Sequence, residues 1–126
     1  MRICIDFDGV ICELKKTNES YADVQPKYMA VDKLNELKAN GHYIIIQTAR
    51  HMKTCESNLG KVNARIAKQT LDWLEKYSIP YDEIYFGKPW AEVYIDDNAF
   101  RFQDWELING NGDNLPTSNE KINVRI

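Results

Sequence analysis

The chain has 126 residues, 44% of them hydrophobic and 28% charged, with a formal net charge of −3. That length suits one domain, 1–126, able to bury roughly two thirds of its unfolded surface without disulfide or metal staples. The slight acidity gives no sign of nucleic-acid binding, and no apolar run approaches membrane-spanning length.

In chain order, residues 1–5 carry Ile3, Cys4 and Ile5, a short apolar run that reads as a buried strand. The run ends on Asp6-Phe7-Asp8-Gly9. Continued as a strand, it would point Asp6 and Asp8 to one side and Phe7 into a core, with Gly9 free to turn tightly. Residues 13–25 are polar and read as a loop or short hairpin beside this stretch. Pro26 stands where a helix would start and Gly41 where it would stop, and Ala30, Val31, Leu34 and Leu37 share one face, which predicts an amphipathic helix over 26–40. Tyr43, Ile44, Ile45 and Ile46 then form a continuous apolar run, the pattern of a strand buried in a parallel sheet, which ends at Thr48-Ala49-Arg50. Residues 51–60 read as a loop. Ile66, Trp73, Leu74 and Tyr77 recur at helical spacing, which predicts a second helix over 62–77. Residues 83–86 give a third strand, followed by Gly87-Lys88-Pro89-Trp90. Residues 92–95 give a fourth, which ends on Asp96-Asp97. Past Phe102 the pattern weakens, so the core spans about 1–100 and 101–126 is a C-terminal extension in which Trp105, Leu107 and Ile108 are free to pack on the sheet edge or on a second subunit.

Strands that alternate with helices make an α/β domain with a mostly parallel sheet. Ligands of such sheets bind outside the carboxyl ends of the strands. The chemistry-bearing residues fall there: Asp6 and Asp8 after the first strand, Thr48 after the second, Lys88 after the third, Asp96 and Asp97 after the fourth. Paired carboxylates at a strand end repel unless a cation sits between them, and hard oxygen ligands suit Mg²⁺. Each residue also has a plainer reading. Asp-Gly marks turns, Thr48 caps one, Arg50 and His51 belong on the surface, Lys88 is a solvated lysine, and Trp90 is a core aromatic. The convergence of four separate stretches outweighs these singly. Cys4, Cys12 and Cys55 lack CxxC spacing, which argues against a disulfide framework or a zinc site; Cys4 reads as a small core residue. No secretory signal is read ahead of the first strand, so the expected setting is the cytoplasm.

Together these stretches resemble the haloacid dehalogenase-like phosphohydrolase superfamily. Asp6-Phe7-Asp8-Gly9-Val10-Ile11 is similar to its first motif, Thr48 to the second, Lys88 to the third and Asp96-Asp97 to the fourth. Thr48-Ala49-Arg50 and Gly87-Lys88-Pro89-Trp90 are also similar to small members that act in polysaccharide or capsule biosynthesis. The resemblance implies a three-layer Rossmann-like domain and a Mg²⁺-dependent phosphatase for a phosphomonoester, such as a sugar phosphate. Asp6 would be the nucleophile and Asp8 the general acid and base. Mg²⁺ would bind Asp6, the backbone carbonyl of Asp8 and Asp97, with Asp96 behind or beside it. Thr48 and Lys88 would hold the phosphate, and backbone N–H groups at Phe7, Asp8 and Gly9 would cradle it, with Ala49, Arg50, Lys53 and Lys61 as further substrate contacts. The gaps at 13–25 and 51–82 are too short for a large cap domain. An open site suits a large phosphorylated substrate, or a homo-oligomer whose neighbour acts as the lid.

Other readings order the same residues differently. A receiver domain places its acidic pair after the first strand and its phosphorylated Asp after the third; here the third strand ends on Gly87-Lys88 and the adjacent acids come last. A non-catalytic phosphate-binding or scaffold module would keep these residues without turnover. A phosphotransferase would share the fold, whereas phosphonate cleavage calls for a cap lysine that this chain does not show.

Overall fold

Three short parallel strands carry the molecule. The computed structural model describes residues 1–116. In it β1 (Arg2–Asp6), β2 (Tyr43–Thr48) and β3 (Glu83–Phe86) pair in the order β1-β2-β3, all parallel. The register sets Asp6 opposite Gln47 and Thr48 opposite Phe86, so all three strands end at one edge. Helices α1 (Ala30–Ala39) and α2 (Leu59–Lys76) make the crossovers, giving a small open α/β sheet. No cap domain interrupts the described residues. Between β1 and α1 the loop ends pair, with Glu13 N–H on the Gln25 carbonyl at 2.9 Å. Between β2 and α2 there are only turns.

The isoleucine run of β2 alternates in burial rather than being buried throughout. Ile44, Ile46 and Thr48 are buried, while Tyr43, Ile45 and Gln47 are partly exposed, because one face of the sheet carries the main core. Leu34 and Leu37 from α1, Trp73 and Leu74 from α2, and Phe7 just past β1 fill that core. Each such side chain contributes about 1.5–3 kcal/mol by leaving water. The Phe7 and Trp73 rings meet at a tilt, with centroids 5.3 Å apart. Cys4 departs from expectation: it is exposed, on the face of β1 opposite Ile5.

Helix α2 starts at Leu59, ahead of the expected 62, because the Asn58 side chain accepts from Lys61 N–H at 3.1 Å and caps it. Helix α1 starts later than 26. Lys27 N–H is committed to the Ile11 carbonyl at 2.8 Å, and Met29 sits in the left-handed region at φ 66, so helix begins only at Ala30.

The expected fourth strand over 92–95 is not formed. Val93 and Ile95 are exposed, and the outer edge of β1 pairs with no strand among the described residues. Tyr94 explains the departure. Its ring lies 4.0 Å from the Lys88 ammonium and its hydroxyl donates to the Pro89 carbonyl, so the segment curls back on itself. Beyond it, Trp105 and Ile108 join the core, whereas Leu107 is exposed. Trp105 Nε1 donates to the Val10 carbonyl at 2.7 Å and Trp73 Nε1 to the Val24 carbonyl at 2.8 Å. Two buried indoles thereby fix the stretch between β1 and α1. Of the expected extension over 101–126, residues 117–126 lie outside the described residues.

Candidate active site

The carboxyl ends of the strands bring the first three predicted stretches together. Lys88 Nζ lies 3.2 Å from Asp6 Oδ2, with only 13% of the lysine side chain exposed. Asp6 Oδ1 accepts from the backbone N–H of Phe7 at 3.1 Å. Lys88 is presented there by the end of β3: Gly87 and Lys88 both donate backbone N–H groups to the Thr48 carbonyl at 3.1 Å. Gly87 holds φ +114, a conformation that favours glycine, and a Cβ at that position would stand 2.3 Å from the end of the Leu59 side chain.

Asp8 takes a different set of partners. The buried Thr48 hydroxyl donates to its Oδ2 at 3.2 Å. Arg50 Nε reaches Oδ1 at 3.0 Å and Oδ2 at 3.1 Å. Arg50 was expected either on the surface or on substrate, and the structure corrects both: the side chain is fully buried. Its Nη1 donates to the buried Thr70 hydroxyl at 3.1 Å and its Nη2 points to Cys12 Sγ at 3.6 Å. Phe7 and Tyr21 sandwich the guanidinium at 4.3 and 4.2 Å. A buried guanidinium is tolerable when its donors and charge are met in this way. Burial, with the Asp8 carboxylate next in effect, pushes the Cys12 thiol up to about 12, and the same two causes raise Tyr21.

Asp6 and Asp8 line two different cavities. The alternation that would set them side by side holds only while the strand lasts, and β1 ends at Asp6. Asp6 lines a cavity of about 450 Å³ along the outer edge of β1, together with Lys88 and Asp96. Asp8 lines a second, of about 490 Å³, together with Ala49, Arg50 and Trp90. Nor do the backbone donors all cradle a ligand: Phe7 N–H is shared between the Gln47 carbonyl and Asp6 Oδ1, and Gly9 N–H is spent on the Cys12 carbonyl. Gly9 instead serves the turn, at φ +83.

Of the predicted metal ligands, Asp6 and Asp96 line one cavity, and Asp97 is exposed beside Asp96. Among the described residues no three His, Cys, Asp or Glu side chains gather closely enough to hold a metal ion. The Asp6 and Asp96 carboxylates are hard oxygen donors, the kind Mg²⁺ takes.

Several neighbours of the site were not legible in sequence. Trp90, read as a core aromatic, is 47% exposed and lines the second cavity, because it follows Pro89 outside any element. His51 is not a plain surface residue: its ring stacks on Tyr21 at 5.7 Å and its Nδ1 is buried. Lys53 lines the same cavity, whereas Lys61 is exposed in the first turn of α2 and does not. Tyr21, Lys15 and Thr70 carried no motif, and only the fold brings them to Asp8 and Arg50.

Comparison with solved structures finds a close likeness to a structural-genomics target from Vibrio cholerae. The TM-score is 0.73 at 38% identity, covering 79% of this chain and 82% of that one. A chain from a Pnkp1/Rnl/Hen1 complex shares the fold more loosely, with a TM-score of 0.50 at 22% identity over 77% of this chain and 30% of its own. No family profile and no curated protein matches the chain. Among the described residues no helix is long and apolar enough to cross a membrane.

Proposed function

We propose a phosphoryl-transfer function for this chain, which belongs to the same family as the Vibrio cholerae protein. The reading is a small haloacid dehalogenase-like phosphatase in the cytoplasm, without a cap, that hydrolyses a phosphomonoester through an aspartyl-phosphate. A sugar phosphate of polysaccharide biosynthesis is the substrate suggested by the sequence context of Thr48 and Lys88. The three-layer form of the fold belongs to the same proposal. One observation carries it: acid, hydroxyl and cation from three strand ends pair at one edge of a parallel sheet, Asp6 with Lys88 at 3.2 Å and Asp8 with Thr48 at 3.2 Å.

The chemistry follows from those groups. A carboxylate oxygen of Asp6 attacks phosphorus, and the bond from phosphorus to the leaving oxygen breaks. Asp8 serves as the general acid that gives a proton to that oxygen. As a carboxylate it then takes a proton from the water that cleaves the aspartyl-phosphate, which frees phosphate and restores Asp6. Lys88 offsets negative charge at Asp6 while the phosphate approaches, and Thr48 and Arg50 hold Asp8 in place. A bound Mg²⁺ would rest on Asp6, the Asp8 backbone carbonyl and Asp96 or Asp97, and would supply charge neutralisation for the phosphate.

The test is phosphate release from a generic aryl phosphate, with Mg²⁺ and with EDTA, for wild type and Asp6→Asn. The expected result is Mg²⁺-dependent release that disappears in the variant. Release that survives the Asp6 change overturns the nucleophile assignment.

A further inference from the structure

The cavity of about 490 Å³ beside Asp8 falls in the size range of small-molecule sites. Its charge is unlike that of the chain. Four charged side chains line it, Asp8, Arg50, Lys15 and Lys53, and Asp8 and Arg50 cancel each other as an ion pair. Two lysines remain on a chain whose net charge is −3. Among the described residues neither makes an ion pair; each lies instead over an aromatic ring, Lys53 at 4.4 Å from Trp90 and Lys15 at 5.6 Å from Tyr21. Trp90 presents its ring at 47% exposure, an uncommon way to leave a tryptophan on a surface.

His51 adds an independent sign. It holds φ 59, a strained conformation for a non-glycine residue, and its buried Nδ1 has no hydrogen-bond partner. Strain and an unmet buried polar atom together cost a few kcal/mol, and both concentrate where a ligand completes the site.

We infer that this cavity is the subsite for the leaving group, and that the substrate is a phosphomonoester whose leaving group bears a ring and a second anionic group, a carboxylate or another phosphate. The ring lies against Trp90 and Tyr21, and the second anion meets Lys15 and Lys53. The placement suits the chemistry, since Asp8, which hands a proton to the leaving oxygen, opens on this cavity. The inference rests on the proposed phosphatase reading for its chemistry, but not for its binding.

The experiment separates the two. In Asp6→Asn protein, tryptophan fluorescence is titrated with fructose 1,6-bisphosphate and with fructose 6-phosphate, alongside Trp90→Phe and the Lys15→Ala/Lys53→Ala pair in the same background. The bisphosphate is expected to bind at least tenfold tighter, with a signal lost in Trp90→Phe and a preference lost in the lysine pair, each lysine giving roughly tenfold through a charge-assisted hydrogen bond. In turnover, the lysine changes should raise KM for the bisphosphate. Equal binding of the two sugars, or a preference that survives loss of both lysines, overturns the subsite. Failure to release phosphate from any ester, with the binding preference intact, overturns the phosphatase reading alone.

Discussion

Arg50 holds Asp8 with a single nitrogen, Nε standing 3.0 Å from Oδ1 and 3.1 Å from Oδ2, while the other two nitrogens face Thr70 and Cys12. The side chain is fully buried and each of its nitrogens already faces a protein atom, so it is not presented to substrate. Its work is positional: it fixes the rotamer of Asp8 against the Thr48 hydroxyl. Arg50→Ala strands an acid and a buried threonine hydroxyl, and should cost about 3–5 kcal/mol, the scale for breaking a buried pair. Arg50→Lys keeps the charge but cannot span Asp8 and Thr70 at once, so it should fold with a smaller loss and turn over at least tenfold more slowly, mainly in kcat. Urea unfolding and aryl phosphate kinetics on both variants check this. Equal kcat for Arg50→Lys and wild type would remove the positional role.

Gly87 governs Lys88 by geometry rather than charge. With φ +114 and Leu59 Cδ2 only 2.3 Å from the place of a Cβ, Gly87→Ala meets both backbone strain and a clash. The strain alone should cost about 1–3 kcal/mol. Adding Leu59→Ala should remove the clash and leave the strain, so the double variant should regain part of the stability lost on Gly87→Ala. Thermal unfolding of the single and double variants measures the split; a double variant no more stable than Gly87→Ala would show that Leu59 yields freely.

The three thiols should react in a set order. Cys12 is buried and its thiol sits at about 12, held up by burial and by Asp8, so almost none is thiolate near neutral pH. Cys55 is buried and Cys4 exposed. Partial desolvation against the sheet still raises the Cys4 thiol, so its reaction should be slow but first. Iodoacetamide labelling at pH 8, followed by peptide mass mapping, should find Cys4 modified in native protein and Cys12 only after urea is added. Early labelling of Cys12 would mean that the Arg50 cluster opens in solution.

The sequence signals that succeeded were local. The Tyr43–Thr48 strand carries an isoleucine run and α2 carries a helical stripe, so both are legible from neighbours in the chain, whereas the Asn58 cap that starts α2 early was not read. Asp6, Thr48 and Lys88 could be placed because a parallel sheet sends every strand end to the same edge. What failed depends on distance. Arg50 and Asp8 stand 42 residues apart and Arg50 and Thr70 stand 20 apart, and no periodicity announces either contact. Residues 92–95 carry a short apolar run like a strand, yet such a run cannot say whether a partner edge will take them. Tyr94 found the Lys88 ammonium instead. Cys4 and Trp90 were misjudged for a shared reason, since apolar character alone does not tell which face of a sheet or loop will be covered.

Asp82 should make stability depend on pH in a predictable direction. Its carboxylate accepts from Lys38 Nζ at 2.5 and 2.6 Å and from Ile44 N–H at 2.8 Å, tying the end of α1 to β2 just before β3. The Lys38 hydrogen bond first, then the Ile44 amide, hold its pKa below the ordinary carboxylate value. A group whose folded pKa is depressed binds protons more readily when unfolded, so it stabilises the fold at neutral pH. That contribution is complete above the unfolded carboxylate value, roughly 3.9. It fades as pH falls through the lower folded value. Urea midpoints for wild type and Asp82→Asn should therefore differ at pH 7 and converge as pH falls below the unfolded carboxylate value, roughly 3.9. The other acids titrate alike in both proteins and cancel in the difference. Parallel curves down to the lowest pH would show that the Lys38 pair adds nothing to the fold, as many exposed ion pairs do not.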